Sequence, residues 1–274
     1  MKKPNILLIG IDFQNDFILD NAPLQVPNAQ NDAQNFADFV VKNGHLIDDI
    51  LLSLDSHQQV HIAHPIFWLD QNGQHPNPFT VITYDDVMSG KYRASNRGYQ
   101  KWVEQYTKSL KDNGKYVLGI WVPHCIVGTS GWSFHSEVSR AVNEWEVKEF
   151  ARATLIPKGN NPQTEHYSAF KADVEIDSDS TTKPNQTIIN ALQNFNGKDD
   201  QILIGGEALN FCVINTIRDI FDYFGAEYAK RFVILEDCMS SILADPVTKN
   251  LHDQALDYLK NNGVTFVKSK DWSL

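Results

Sequence analysis

Short apolar runs rich in β-branched residues recur along this chain, separated by longer amphipathic stretches, and that alternation restricts the fold more than any other property of the sequence. Candidate strands run Asn5 to Ile11, Gln59 to Ala63, Tyr116 to Trp121, Gln201 to Gly205, Arg231 to Leu235 and Val264 to Val267. Candidate helices run Asp32 to Ser53, Arg97 to Asp112, Phe134 to Val147, Thr187 to Asn194, Phe211 to Phe224 and Pro246 to Asn261. Strands alternating with helices are the pattern of βαβ units, whose crossovers make successive strands run parallel. The expectation is an α/β fold with a mainly parallel sheet, which takes its ligands outside the carboxyl ends of the strands.

The 274 residues are read as one domain spanning 1–274. A stretch from Asp70 to Arg97 holding Gly73, Pro76, Pro78 and Gly90 reads as a long ordered excursion, and the Asp/Ser/Thr-rich Asp173 to Pro184 as a surface loop. Neither break leaves halves that could each complete a sheet. A net charge of -10 argues against nucleic acid as a partner and disfavours an anionic membrane surface. The longest apolar stretches are too short to span a bilayer. Met1-Lys-Lys is followed by too short an apolar run, then by Asp12 and Asp16, to serve as a signal peptide. Cytoplasm is the expected compartment, and Cys125, Cys212 and Cys238 suit a reducing one. Homo-oligomerisation is left open.

Three apolar segments lead to chemically loaded residues: Asp12 after Ile6–Ile11, Lys158 in Leu155-Ile-Pro-Lys158-Gly159, and Cys212 beyond Ile202–Gly206. A thiol that attacks a carbonyl needs a base for its proton and a cation near its thiolate, services Asp12 and Lys158 can supply. A start of helix at Cys212 would add its partial positive charge in favour of thiolate. Each residue alone has an ordinary alternative: a small buried hydrophobe, a turn-capping acid, a surface Lys-Gly turn. Their shared placement near strand ends favours catalysis. A second constellation is Asp55-Ser-His57 with His124 in Trp121-Val-Pro-His124-Cys125. One carboxylate and two imidazoles suit one divalent metal ion, zinc first, with iron or manganese as alternatives, leaving positions for water or substrate. His61 falls inside a candidate strand, and His64-Pro65 reads as a structural or pocket-edge element. Phe17, Trp68 and Tyr167 are candidates to pack against a planar substrate ring.

Asp12-Phe-Gln-Asn-Asp16-Phe17, Asp55-Ser-His57, Pro123-His124-Cys125, Lys158-Gly159, Tyr167-Ser-Ala-Phe170 and Cys212-Val213 occur in an order that resembles nicotinamidases, within the isochorismatase-like cysteine hydrolase superfamily. The resemblance spans nearly the whole chain. It implies a three-layer α/β/α sandwich around a six-stranded, mainly parallel, Rossmann-like sheet. It also implies Asp12, Lys158 and Cys212 as the catalytic triad, and Asp55, His57 and His124 as metal ligands. The backbone N–H groups of Ala208 and Cys212 become the oxyanion hole, with a cis peptide between Glu207 and Ala208. The implied activity is release of ammonia from a small primary amide through a thioester, nicotinamide to nicotinate being the leading case. Ser56, the segment Leu209-Asn210-Phe211 and the excursion depart from the usual nicotinamidase pattern and bear on the substrate. The alternatives are a related hydrolase for another amide, a metal-dependent hydrolase in which Cys212 is incidental, and a non-catalytic binding protein on the same scaffold.

Overall fold

Ile6–Ile11 is an uninterrupted apolar strand (β1) buried along its whole length, as a strand must be when helices cover both faces of its sheet. The computed structural model describes residues 3–114 and 117–274. Its central sheet has six strands: β1, β2 (Asp49–Asp55), β3 (Thr154–Lys158), β4 (Gln201–Gly206), β5 (Phe232–Leu235) and β6 (Thr265–Val267). All are parallel, in the order β6-β5-β4-β1-β2-β3. This is the doubly wound arrangement, and the chain reverses direction across the sheet between β1 and β4.

Successive side chains of β1 point to opposite faces, and two apolar layers follow. Ile6 and Leu8 pack with Phe36 and Val40 of α1 (Ala29–Asn43) and with Val138 and Trp145 of a helix at Ser136–Glu149. Leu7, Ile9 and Ile11 face the helices Gln186–Asn194, Ile214–Phe224 and Pro246–Asn261. The result is the three-layer sandwich that the resemblance implies. Among the described residues, no helix is long and apolar enough to cross a membrane.

Two of the six expected strands are different segments. The pattern read as one helix from Asp32 to Ser53 is a helix ending at Asn43 followed by β2. The run Gln59 to Ala63 is not a strand: Ile62 and Ala63 are buried in irregular backbone, and the Ile62 amide donates to the Pro162 carbonyl. Its place in the sheet belongs to β2, and β3 supplies the remaining member. Pro157, which cannot donate to a ladder, is tolerated because β3 is an edge strand. Of the strand expected from Tyr116 to Trp121, Tyr116 lies outside the described residues, and Leu118–Gly119 pairs antiparallel with Val81–Ile82 away from the main sheet.

The excursion is wider than 70–97. It includes the antiparallel pair Trp68–Asp70 and Tyr92–Ala94, and a helix at Gln100–Asn113. These enclose a small core of their own, with Ile62, Phe67, Trp68, Tyr106 and Ile120 buried in it. The chain then returns to the carboxyl edge of the sheet through Trp121 and His124.

Candidate active site

Asp12 is the first residue beyond β1 and holds a positive φ of 50°, which turns the chain sharply off the sheet. Ser53, on neighbouring β2, accepts from the Asp12 amide at 3.0 Å and donates its hydroxyl to Oδ1 at 2.5 Å. This leaves Oδ2 to face Lys158 Nζ at 3.0 Å. Lys158 ends β3, and the parallel register sets it beside Asp55, the last residue of β2. Its ammonium therefore also meets Asp55 Oδ1, at 3.1 Å, and donates to the His166 carbonyl at 3.0 Å. Cys212 Sγ lies 3.6 Å from the same nitrogen. One buried lysine thus touches both carboxylates and the thiol.

The switch point brings these groups together. β4 pairs with β1 as far as Ile11 and Gly206, where a β-carbon would lie 2.1 Å from the Ile11 carbonyl oxygen, so only glycine lets the strands run this close. The Glu207–Ala208 peptide is cis. Cys212 then sits in a single wide π-turn, Leu209–Val213, just ahead of the helix Ile214–Phe224. Asn210 anchors that turn: its side-chain amide donates to the Ile242 and Thr248 carbonyls and its oxygen accepts from the Ile242 amide.

Burial dominates the electrostatics. It pushes the Cys212 thiol well above its ordinary range, and Asp12 and Asp55 add to the rise while Lys158 opposes it. This direction favours the protonated thiol and opposes the bias toward thiolate that a helix start would add. Burial likewise raises Asp12, against Lys158 and with Asp55, which makes it a stronger base than an exposed aspartate. For Asp55 burial is outweighed by His57, Lys158 and His124, which hold the carboxyl well below the usual range. Burial would lower Lys158, but Asp12 and Asp55 more than offset it and the ammonium stays charged.

Asp55 Oδ2 faces away from the lysine, 3.5 Å from His57 Nδ1 and 3.3 Å from His124 Nε2. Gln14 clamps the Asp55 backbone from both sides, donating to its carbonyl at 2.8 Å and accepting from its amide at 2.7 Å. The His124 loop is held by Asp16, whose Oδ2 accepts from the Cys125 amide at 2.7 Å. Both ring nitrogens of His57 are buried without a hydrogen-bond partner. A buried carboxylate with imidazoles turned toward it and nitrogens left unpaired fits a divalent cation. His64 is also close enough to join His57 and His124 around one ion, and His61 and Glu165 group with His57 on another side. Gln14, Ser53, His61, His64 and Glu165 were not singled out as site residues by the sequence reading. Gln14 and Ser53 carried no signal beyond their nearness to Asp12 and Asp55, whereas the spacing of His61 and His64 after His57 was visible.

A small cavity opens between the two constellations, lined by Phe17, Trp121, Tyr167, Phe211, His124 and Cys212 among others. Phe17 and Tyr167 both line this cavity. Trp68 is not: it is fully buried in the excursion's core, with its indole N–H on the Ile62 carbonyl. Its expected place is filled by Trp121, whose indole donates to the Tyr167 hydroxyl at 2.7 Å and whose ring meets Phe211 edge-on. Adjacency to Pro123-His124 and to Cys212 was the available signal for Trp121 and Phe211.

No protein-family model matches the chain, and no curated protein matches it in sequence. Solved structures do. A nicotinamidase/pyrazinamidase of Acinetobacter baumanii is 22% identical with a TM-score of 0.61, over 98% of this chain and 99% of that one. The yeast nicotinamidase is 20% identical with a TM-score of 0.62, over 96% and 99%. A pyrazinamidase of Pyrococcus horikoshii, solved with zinc, is 19% identical with a TM-score of 0.54, over 97% and 99%. These similarities establish a shared fold along essentially the whole chain.

Proposed function

We propose that this chain is a cysteine amidohydrolase of the isochorismatase-like superfamily. It cleaves a small planar primary amide, nicotinamide first among candidates, to the carboxylic acid and ammonia. The observation that carries the proposal is the meeting of Asp12, Lys158 and Cys212 at the switch point of the sheet. The fold shared with nicotinamidases and pyrazinamidases along nearly the entire chain supports it.

The chemistry follows from the charges. The Cys212 thiol gives its proton to Asp12 as sulfur attacks the amide carbon, so no free thiolate accumulates in the buried pocket. Lys158 stays cationic and stabilises the sulfur and the carboxylate while charge passes between them. The carbonyl π-electrons move onto oxygen, and the backbone N–H groups of Ala208 and Cys212 receive that oxyanion. Asp12, now protonated, delivers its proton to the amide nitrogen; the C–N bond breaks and ammonia leaves. Water, deprotonated by Asp12, attacks the thioester, and the C–S bond breaks with the proton returned to sulfur. Asp55, His57 and His124 would hold the metal ion, which when bound supplies a Lewis-acidic point to orient a substrate ring nitrogen or a water. Phe17, Trp121, Tyr167 and Phe211 offer aromatic walls for a flat ring.

Ammonia release from nicotinamide, benzamide and a small aliphatic amide tests the reading, alongside acyl-enzyme detection by intact mass. Preference for nicotinamide over benzamide and loss of turnover in Cys212→Ala are expected. Full turnover in Cys212→Ala would rule out the covalent route, and no ammonia from any amide would overturn the activity.

A further inference from the structure

Glu207 is an acid in an otherwise apolar stretch. It follows β4 directly and is buried, and no protein donor meets either of its carboxyl oxygens in hydrogen-bonding geometry. Asp32, in the first turn of α1, is buried as well, and its Oδ2 has no donor. The two carboxyl groups lie within hydrogen-bonding reach of each other. Among the described residues, no lysine, arginine or histidine pairs with either one. The other titratable groups facing Asp32 are Asp237 and the Cys238 thiol, and neither brings positive charge. Two carboxylates buried in contact without a cation cannot both be ionised, so one proton sits between them.

The surroundings decide which partner keeps that proton. Asp32 Oδ1 accepts from the Asn28 side-chain amide at 3.0 Å, and the Ser240 hydroxyl borders the same carboxyl. The start of α1 adds its partial positive charge. All three favour the anion on Asp32, whose carboxyl is pushed up by burial only to about 6. Burial and the Asp32 charge push Glu207 well above the ordinary range. The pair is therefore a neutral Glu207 donating its O–H to the Asp32 carboxylate, a charge-assisted hydrogen bond stronger than a neutral one.

This bond matters to the reaction because of the residue that follows. The Ala208 nitrogen is joined to the Glu207 carbonyl carbon, so the direction of the Ala208 N–H turns with residue 207. Backbone contacts hold the segment on either side, the Glu207 amide donating to the Ile11 carbonyl at 2.9 Å and the Leu209 amide to the Ser240 carbonyl at 2.8 Å. The Glu207 side chain adds a third anchor, to a helix in the layer over the sheet. We propose that Glu207 is a positioning residue: through the proton it shares with Asp32, it aims the Ala208 N–H at the oxyanion. The inference rests on the amidohydrolase reading above and adds a residue that touches no reacting atom.

Two measurements test it, one of them independent of activity. An acid with a raised folded pKa keeps its proton through neutral pH in the folded chain, while the unfolded chain has already lost it. Stability from the pair is thus complete below the unfolded value and is lost as pH rises toward the folded one. The unfolding constant of the wild type, divided by that of Glu207→Gln, should rise about tenfold per pH unit from about pH 6.5 to 8.5 in urea titrations. A flat ratio would mean no shared proton and would overturn the proposal. In ammonia release, Glu207→Leu should lower kcat about 10–100-fold with KM within about threefold, the scale expected for a misaimed oxyanion donor. Glu207→Gln, whose amide can still donate to Asp32, should recover kcat to within about tenfold of wild type. Asp32→Ala removes the acceptor from the other element and should lower kcat as Glu207→Leu does, with no further loss in the double variant. Full kcat in a folded Glu207→Leu, or losses that multiply in the double variant, overturns the positioning role and leaves the amidohydrolase reading standing. A wild type that releases no ammonia from any amide overturns that reading, and the link from Glu207 to turnover with it, whatever the unfolding ratio.

Discussion

Replacing Lys158 by Met removes a buried cation that lies 3.0 Å from Asp12 Oδ2 and 3.1 Å from Asp55 Oδ1. Methionine has nearly the same length and packs in an apolar environment, so the perturbation is electrical rather than steric. Breaking one buried ion pair by deleting a partner costs about 3–5 kcal/mol. The ceiling comes from proton uptake: neutralising an aspartate whose unfolded pKa is about 3.9 costs about 4 kcal/mol at pH 7 and about 1.5 kcal/mol at pH 5. Without Lys158 the opposing influence on Asp12 is gone, and its folded pKa rises further above the unfolded value. An acid raised in this way is destabilising above its folded pKa, and the penalty disappears as pH falls below the unfolded pKa. The variant should therefore lose about 3–4 kcal/mol at pH 7 and markedly less at pH 5. Urea unfolding with an m-value of about 2–3 kcal/mol/M converts this to a midpoint drop of about 1–2 M at pH 7. A midpoint equal to wild type at pH 7, or a deficit that grows on acidification, would refute the charge argument.

Iodoacetamide labelling of Cys212 should be slow at pH 7 and rise about tenfold per pH unit to pH 9.5 without a plateau, because burial raises the thiol. A plateau below pH 7 would show a resting thiolate instead. Asp12→Asn should label faster than wild type at pH 8 while losing turnover, since Asp12 raises the thiol it serves; slower labelling contradicts this assignment of forces. Gly159 has a φ of +76° and a β-carbon there would lie 2.9 Å from Asp55 Oδ1, so Gly159→Ala should cost about 1–3 kcal/mol by thermal unfolding and weaken metal binding. Trp68→Phe should lower stability by about 1–3 kcal/mol with KM unchanged, whereas Trp121→Leu should raise KM; the reverse pattern would restore Trp68 to the pocket.

How far the sequence could be read depended on the kind of signal. β1, β4, β5 and β6 were legible as apolar runs bounded by polar or glycine residues. β2 was not, because Ile50, Leu51, Leu52 and Leu54 continue the apolar pattern of the preceding helix, and a short run buried on both faces has no period of its own. Gln59 to Ala63 misled for the opposite reason: its apolar residues serve the core of the excursion rather than the sheet. Asp12, Asp55, Lys158 and Cys212 stood out because each is a charged or reactive group directly after, or a few residues beyond, an apolar segment. Trp68 and Trp121 carry the same ring, and the path of the excursion takes Trp68 into its own core while Trp121, three residues before His124, reaches the cavity.

Asp55 spends one oxygen on the lysine and the other on the histidines. It is thereby a shared terminal between two circuits. A cation held by the imidazoles would compete with Lys158 for the negative charge of this one carboxylate. Linkage makes the influence mutual: a reversible ligand beside Cys212 must change the affinity of the imidazole nest by the same factor by which filling the nest changes the affinity for that ligand. The pocket therefore behaves as one titrating unit, with Asp55 as the residue through which each half senses whether the other is occupied.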